Sequence, residues 1–189
     1  MKIYLLDNNE KMIYYWNKYF AGVKNVEIVK DDFENFVSTH DAVDCIVSPA
    51  NSFGLMDGGY DLAITNHFGD ALQAKVQDYI IKNFDGEQPV GTSFIVNIPD
   101  TNKTLIHTPT MRKPSMIKDP LVVYYATRET LRTAHKNNVK NIVVPAFGGG
   151  AGAVDAEIIA KFMKTAYDSV KEKPPTKISW DYAEKIKGI

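Results

Sequence analysis

The chain lacks several features that would narrow its class at once. It has one cysteine, Cys45, among 189 residues, so no internal disulfide can form, as is usual in a reducing compartment. The chain also lacks an excess of either charge, since its formal net charge is −1. This balance argues against a broad surface for binding nucleic acid or an anionic membrane. No apolar run is long enough to span a bilayer, and Asp7 interrupts the N-terminal apolar run. These absences predict a cytoplasmic protein.

Familiar catalytic and cofactor motifs are missing as well. The sequence contains neither the Gly-Lys-Ser/Thr ending of a Walker loop nor the Gly-x-Ser-x-Gly turn of a serine nucleophile. The four histidines lack the spacing of metal ligands, and Cys45 lies inside an apolar run that predicts a buried thiol. We therefore expect no metal, no cofactor and no Ser or Cys nucleophile.

Short apolar runs alternate with helical patterns along most of the chain. This order predicts one three-layer α/β domain over residues 1–170, with a mostly parallel mixed sheet between helices. Residues 171–189 are predicted to form a C-terminal extension, with a short helix at Asp181–Lys187 packed on the domain. The predicted strands are Ile3–Leu6, Val26–Val29, Val43–Val47, Thr92–Asn97, Thr104–Thr108 and Asn141–Val144. The main predicted helices are Lys11–Phe20, Tyr60–Phe68, Ala71–Phe84, Leu121–Asn137 and Asp155–Val170.

Two glycine-rich turns follow two of these strands. The first runs from Asn51 to Asp61, and the second from Gly148 to Gly152. A helix pattern follows each turn, so backbone N–H groups are exposed at a helix N-terminus, where anions bind. In parallel sheets ligands lie beyond the carboxyl ends of the strands. The two turns therefore predict a phosphate-bearing ligand held from two sides.

The second turn has to be distinguished from a dinucleotide fingerprint. Gly148-x-Gly150-x-x-Ala153 fits that pattern, and Asp168 follows about 20 residues later. However, the fingerprint acid ends a strand, whereas Asp168 lies inside a predicted helix. Four glycines in five residues exceed what a tight turn needs, which favours a phosphate loop. A different α/β nucleotide binder, such as a dinucleotide protein, stays open as a weaker alternative.

Single polar residues near the first turn each have a structural alternative. Asn51 places a side-chain amide where it can hold a sugar hydroxyl, but Asn also commonly caps turns. Asp61 falls in the first turn of a helix, where a carboxylate is favoured by the helix dipole. Asp32 has the position of an N-cap. Taken alone, these carboxylates are better explained as caps than as functional groups.

Together, however, the motifs resemble those of the macro domain family, which binds ADP-ribose. The resemblance covers Val26 to Val170 and implies a single macro-type domain. It rests on Asp31-Asp32-Phe33, on Val43 to Asn51, on the Asp61 helix through Gly69, on Leu105 to Thr108, and on Pro145 to Ala153.

The resemblance implies a role for each motif. Asp32 accepts a hydrogen bond from the adenine amino group with Phe33 beside the ring, the Gly148–Gly152 backbone holds the diphosphate, and Asn51 contacts the distal ribose. Asp61 lies near the C1″ end of that ribose, where some members of the family hydrolyse a bond. The implied catalytic residues are Asn51, Asp57 and Asp61. The implied ligand-binding residues are Asp32, Phe33, Ala50, Gly58, Gly59, Phe147, Gly148, Gly149, Gly150, Ala151 and Gly152.

Three departures from the family pattern bear on activity. Asp57 interrupts the first glycine run, either as a second catalytic carboxylate or as a solvent-facing charge. Gly152 stands where the family has an aromatic residue beside the distal ribose. Ser48-Pro49 replaces Asn-Ala and resembles the ADP-ribose 1″-phosphate phosphatase subgroup. The implied function is hydrolysis of ADP-ribose derivatives at the distal ribose, with the 1″-phosphate favoured. The alternatives are a non-catalytic ADP-ribose-binding module and a hydrolase of ADP-ribosylated protein or O-acetyl-ADP-ribose.

Overall fold

The structure, a computed structural model, describes residues 1–185 and contains one six-stranded sheet in the order β2-β1-β6-β3-β5-β4. Every neighbouring pair is parallel except β4 and β5, which are antiparallel. The predicted mostly parallel mixed sheet is therefore confirmed. The strands are β1 Lys2–Asp7, β2 Val26–Lys30, β3 Cys45–Ser48, β4 Phe94–Asn97, β5 Thr104–His107 and β6 Asn141–Pro145.

Helices cover both faces of this sheet, as the three-layer prediction required. Helices α1, α5 and α6 pack on one face, and α2, α3 and α4 pack on the other. The helices are α1 Glu10–Tyr19, α2 Phe33–Thr39, α3 Gly59–Phe68, α4 Asp70–Phe84, α5 Leu121–Lys136 and α6 Ala156–Lys171, with α7 Trp180–Lys185 after them.

Strand β1 shows how the sequence builds the two cores. Ile3 and Leu5 point into the cluster under α1, α5 and α6, whereas Tyr4 and Leu6 point into the cluster under α2, α3 and α4. Both faces of a central parallel strand are buried, so its sequence is continuously apolar rather than alternating. Each fully buried large apolar side chain contributes about 1.5–3 kcal/mol relative to an exposed one.

The single cysteine is buried in the first of these cores. Cys45 begins β3 and has no exposed surface. Burial raises the pKa of its thiol to about 12. The prediction of a buried thiol is confirmed.

Element boundaries differ from the predicted ones where side chains bind the backbone. Strand β3 begins at Cys45 instead of Val43, because the Val43 N–H donates to the His40 carbonyl at 2.9 Å in a turn, and the Asp44 carboxylate then accepts from the N–H groups of Lys140 and Asn141, at 3.1 and 2.8 Å. Strand β4 begins at Phe94 instead of Thr92, because the Thr92 hydroxyl donates to the Pro89 carbonyl in a turn.

The C-terminal region carries one short helix, α7. Residues 186 and 187 of the predicted Asp181–Lys187 helix lie outside the described residues. Ile178 and Trp180 are 79% and 85% exposed. The division of the chain at residue 170 and the packing of the extension stay predictions. No helix within residues 1–185 is long and apolar enough to cross a membrane.

Candidate functional site

A cleft of about 890 Å³ opens at the carboxyl edge of the sheet. Strands β1, β2, β3 and β6 run in the same direction, so they all end at this edge. Helices α1, α2, α3 and α6 begin there, because each is the next helix along the chain after one of these strands. The cleft is therefore surrounded by strand ends and by helix N-termini, whose free N–H groups favour anions.

Most residues predicted from the sequence line this cleft together. The predicted residues in its lining are Asp32, Phe33, Ala50, Asn51, Asp57, Gly58, Gly59, Asp61, Gly148, Gly149, Gly150 and Ala151. The structure places Phe147 and Gly152 outside the lining. Phe147 is fully buried in the core under α5 and α6. A side-chain carbon on Gly152 would lie 2.6 Å from the Gly148 carbonyl oxygen, so this glycine allows two parts of the turn to pack closely.

The second glycine-rich turn exposes unbonded backbone donors. Gly148 has a φ of +79°, a left-handed conformation that favours glycine, and its carbonyl accepts a hydrogen bond from the Val154 N–H at 3.1 Å. The N–H groups of Gly150 and Ala151 have no acceptor within residues 1–185, and both residues are exposed. The turn therefore offers donors for an anionic oxygen at the end of β6.

Asn51 holds the first glycine-rich turn together with its own side chain. Its amide Nδ2 donates to the Leu55 carbonyl at 2.7 Å, and its Oδ1 accepts from the N–H groups of Phe53 and Leu55 at 3.1 and 3.3 Å. One N–H of the amide is left over for another partner. Asn51 is 6% exposed and lines the cleft. The sequence left open whether Asn51 caps the turn or faces a ligand, and in the structure it caps the turn from a position in the cleft lining.

The first turn ends at the N-terminus of α3. Gly58 is the N-cap residue and has no side chain to bond the first N–H groups of the helix. The N–H groups of Gly59, Tyr60 and Asp61 have no acceptor in the described chain. Asp57, directly before the cap, is exposed at the cleft. This end of the cleft therefore offers backbone donors beside an added carboxylate.

The Asp61 carboxylate is bonded to one side chain only among the described residues. The Ser48 hydroxyl, fully buried at the end of β3, donates to Asp61 Oδ1 at 2.6 Å. Burial raises the pKa of Asp61 to about 7, although the hydrogen bond from Ser48 lowers it. Asp61 Oδ2 receives no donor from residues 1–185, so one carboxylate oxygen stays available to a water or a ligand.

Asp32 and Phe33 form the opposite end of the cleft. Asp32 is the N-cap of α2: its Oδ1 accepts from the Asn35 N–H at 2.8 Å and its Oδ2 from Asn35 Nδ2 at 2.9 Å. The structure thus shows the capping role that the sequence predicted as an alternative. Each carboxylate oxygen retains a lone pair for a second donor. Phe33 is 3% exposed and packs edge-on against Tyr60, with ring centroids 5.3 Å apart.

The end of β1 adds residues that the sequence indicated as a strand end and a helix cap but did not assign to the site. Asp7, Asn8 and Asn9 line the cleft between the ends of β2 and β6. Asp7 accepts from the Asn9 N–H at 2.8 Å, and burial raises the pKa of Asp7. The available signal was the polar run directly after an apolar strand, but the position of that strand in the sheet could not be inferred.

A loop between β5 and α5 ties the two glycine-rich turns together. At one end the Ser52 N–H donates to the carbonyls of Met111 and Arg112, at 3.2 and 3.1 Å. At the other end the Ile117 N–H donates to the Gly152 carbonyl at 2.9 Å. Met111 lines the cleft. The loop has no local signature in the sequence that connects it with the site.

Carboxylates dominate the charged groups of the cleft. Lys11 is the one cationic residue of its lining in the described chain, and it forms an ion pair with Asp155 at 2.7 Å. The acidic residues in the lining are Asp7, Asp31, Asp32, Asp57, Asp61 and Asp155. An anionic ligand must therefore be held mainly by backbone N–H groups.

The chain is similar to proteins of one family. A family model described as Macro domain matches residues 47–163. An uncharacterized protein of Aquifex aeolicus is 34% identical over 121 residues, which cover 64% of this chain and 70% of the relative.

Solved structures share the fold. The Oceanobacillus iheyensis macrodomain with ADP has a TM-score of 0.59 at 21% identity, covering 67% of this chain and 68% of that one. A mutant of that macrodomain with ADPR has a TM-score of 0.58 at 20% identity, covering 69% and 73%. The macrodomain of Mycobacterium tuberculosis DarG has a TM-score of 0.58 at 19% identity, covering 68% and 83%. Given the extent of the family match, this chain belongs to the macro domain family.

Proposed function

We propose that the cleft binds ADP-ribose or a derivative of it. The observation that carries this proposal is the order of strand ends along the cleft, β2-β1-β6-β3. Asp32 follows β2, Asp7 ends β1, the free N–H groups of Gly150 and Ala151 follow β6, and Asn51 follows β3. The order of these groups along the edge of the sheet matches the order of the parts of ADP-ribose: adenine, ribose, diphosphate and second ribose.

Solved structures of one macrodomain support the same ligand. The Oceanobacillus iheyensis macrodomain was solved with ADP and, as a mutant, with ADPR. The diphosphate position agrees with the chemistry of the second turn, because exposed N–H groups bind phosphate without a cationic side chain. The cleft volume of about 890 Å³ is within the range of ordinary ligand sites.

Two glycine variants test the ligand and its orientation by calorimetric titration. A side-chain carbon on Gly150 or on Gly58 meets no atom within 4 Å, so we expect either position to accept a side chain without loss of the fold, which thermal denaturation of each valine variant checks. Gly150→Val is expected to weaken ADP-ribose and ADP alike, because it covers the diphosphate donors. Gly58→Val is expected to weaken ADP-ribose but not ADP, because it covers the distal end. Unchanged ADP-ribose affinity in both variants would contradict the proposal.

We further propose hydrolysis at the distal ribose, with ADP-ribose 1″-phosphate as the favoured substrate. Asp61 supplies a carboxylate with an available Oδ2 and a pKa of about 7, near the value that serves best for proton transfer at neutral pH. Asp61 takes a proton from a water whose oxygen attacks phosphorus. The bond between phosphorus and the ribose oxygen breaks, and that oxygen takes the proton. The free N–H groups of Gly59 and Tyr60 favour a phosphate at this end.

The charge of the same region supports an alternative substrate. Asp57 and Asp61 stand at the distal end, and the cationic Lys11 is already paired with Asp155. A distal group without charge, as in an ester of ADP-ribose with a protein or with acetate, avoids repulsion by these carboxylates. Binding without turnover is the other candidate, since the turn donors and Asn51 can hold ADP-ribose with no chemistry.

Product release separates these candidates. Phosphate is measured from ADP-ribose 1″-phosphate, and ADP-ribose from a modified protein. Asp61→Asn is expected to abolish release while ADP-ribose affinity is retained, and Asp57→Asn reports whether the second carboxylate takes part. Release that survives in the double variant Asp57→Ala with Asp61→Ala would rule out the mechanism. ADP-ribose binding without any release would identify a binding module.

A further inference from the structure

Tyr60 carries a phenol that the proposed function has not used. It is the second residue of α3, and this half-buried residue belongs to the lining of the cleft, while its ring packs against the neighbouring core. The ring packs edge-on against Phe33, which begins α2 on the other side of the cleft. The side chain therefore extends from the distal end toward the end where Asp32 lies.

The hydroxyl of Tyr60 is buried and has no hydrogen-bond partner in the described chain. Two other buried side-chain atoms share this property, Nε1 of Trp16 and Nε2 of His107, but those residues are fully enclosed in the protein core. Of the three, Tyr60 alone belongs to the lining of the cleft. A buried polar group without a partner opposes folding, and for Tyr60 the cleft is where a ligand can supply that partner.

The surroundings of the hydroxyl define what it can bind. Burial, reinforced by the charges of Asp61 and Asp7, raises the pKa of Tyr60 far above its usual range, so the phenol keeps its proton and acts as a donor. The same two carboxylates repel an anionic oxygen. A hydroxyl group is the complementary partner, because it accepts a hydrogen bond from the phenol and donates one to a carboxylate.

We propose that the Tyr60 hydroxyl is a ligand-binding group that donates a hydrogen bond to a ribose hydroxyl of the ligand. The proposal rests on the proposed function, because ADP-ribose carries a ribose on each side of its diphosphate. Asp7 lies on the adenine side of the second turn and Asp61 on the distal side, so either ribose can supply the hydroxyl. Contact with the ligand gives the phenol the partner that it lacks in the protein.

The test is Tyr60→Phe, for which affinity and stability are expected to move in opposite directions. Loss of the donor is expected to weaken ADP-ribose binding by about 5- to 10-fold. Removal of an unpaired buried hydroxyl is expected to raise the melting temperature by roughly 2–4 °C. The control is Tyr167→Phe, whose hydroxyl is already bonded to Asn25 and lies outside the cleft lining. That variant is expected to melt at a lower temperature and to bind ADP-ribose as the wild type does.

Two smaller probes identify the ribose. If the phenol contacts the adenine-side ribose, Tyr60→Phe weakens AMP; if it contacts the distal ribose, it weakens ribose 5-phosphate. Either result supports the proposal. Wild-type affinity of Tyr60→Phe for ADP-ribose would overturn it, as would a lower melting temperature, since the hydroxyl would then have a partner in the protein. If the wild-type protein does not bind ADP-ribose at all, the proposed function itself fails and this proposal falls with it.

Discussion

The two glycine-rich turns keep their backbones open in different ways. The first is held by a side chain, because Asn51 bonds three backbone groups of the turn that follows it. The second is held by packing, because Gly148 and Gly152 leave no room for a side chain between them. Although the two turns are similar in composition, hydrogen bonds from a side chain stabilise the first and close packing stabilises the second. Different substitutions should therefore destabilise them.

The largest expected effect is on the packed turn. In Gly152→Ala the added carbon would lie 2.6 Å from both the Gly148 carbonyl oxygen and Ile117 Cδ1. We expect the free energy of unfolding to fall by about 3 kcal/mol, as in other overpacked sites, measured by urea denaturation. Gly150→Ala is the control, because its added carbon meets no atom within 4 Å, and its change should stay within about 0.5 kcal/mol. Equal stability of the two variants would contradict the packing explanation.

The next effect depends on pH and concerns the first turn only, through the ionisation of Asp61. The pKa of Asp61 in the folded protein is about 7, above its ordinary 3.8, so the folded state binds more protons between these values. The contribution of Asp61 to the free energy of unfolding is therefore fully present below about pH 4 and is lost as the pH rises through 7. We expect Asp61→Asn to be more stable than the wild type by about 2 kcal/mol at pH 8, with a smaller difference at pH 4. Urea denaturation at both pH values measures this.

The matched control for that pH series is Asp57→Asn, at an exposed position of the same turn. We expect its stability to follow that of the wild type within about 0.5 kcal/mol at both pH values. A difference between Asp61→Asn and wild type that does not change with pH would show that ionisation of Asp61 is not its cause.

A third effect concerns the side chain that holds the first turn. Asn51→Ala removes hydrogen bonds to the carbonyl of Leu55 and to the N–H groups of Phe53 and Leu55. We expect a loss of about 1.5 kcal/mol in thermal or urea denaturation, because three backbone groups of the turn lose their partners. Asn51→Asp keeps the acceptor oxygen but sets a carboxylate oxygen against the Leu55 carbonyl, so it should lose at least as much. If both variants are as stable as the wild type, the turn is held by other contacts.

The smallest effect belongs to the residue that supports Asp61. Ser48→Ala removes the hydrogen bond that lowers the Asp61 pKa, so that pKa should rise further. The carboxyl titration observed by ¹³C NMR measures this change directly. The cost in stability is expected to be about 1 kcal/mol. Ser48→Thr keeps the hydroxyl and should restore the wild-type titration; a Ser48→Ala titration identical to that of the wild type would exclude the coupling.

The sequence predicted the layers of the fold because apolar periodicity is local. It also predicted which strands end in the cleft, since polar and glycine-rich runs follow β2, β3 and β6. The position of β1 between β2 and β6 was not predicted, because parallel pairing joins distant segments. For that reason Asp7 was missed.

Other parts of the site were missed because they depend on packing at atomic distance. Nothing in the composition of the second turn distinguishes Gly152, which packs against Gly148, from Gly150, which is exposed. Tyr60 belongs to a helix pattern, where an aromatic residue is ordinarily a core residue. Its unpaired hydroxyl became evident only from its surroundings.

The central position of β1 has a consequence for the folding of the chain. Lys2 to Leu6 pair with Asn141 to Pro145, so the middle of the sheet joins the earliest and some of the latest residues of the domain. Loop closure over such a distance is slow, and contacts of this kind retard folding. During synthesis the ribosome must release β6 before the cleft can assemble. A nascent chain halted before residue 141 would contain Asp32 and Asn51 but no completed binding site.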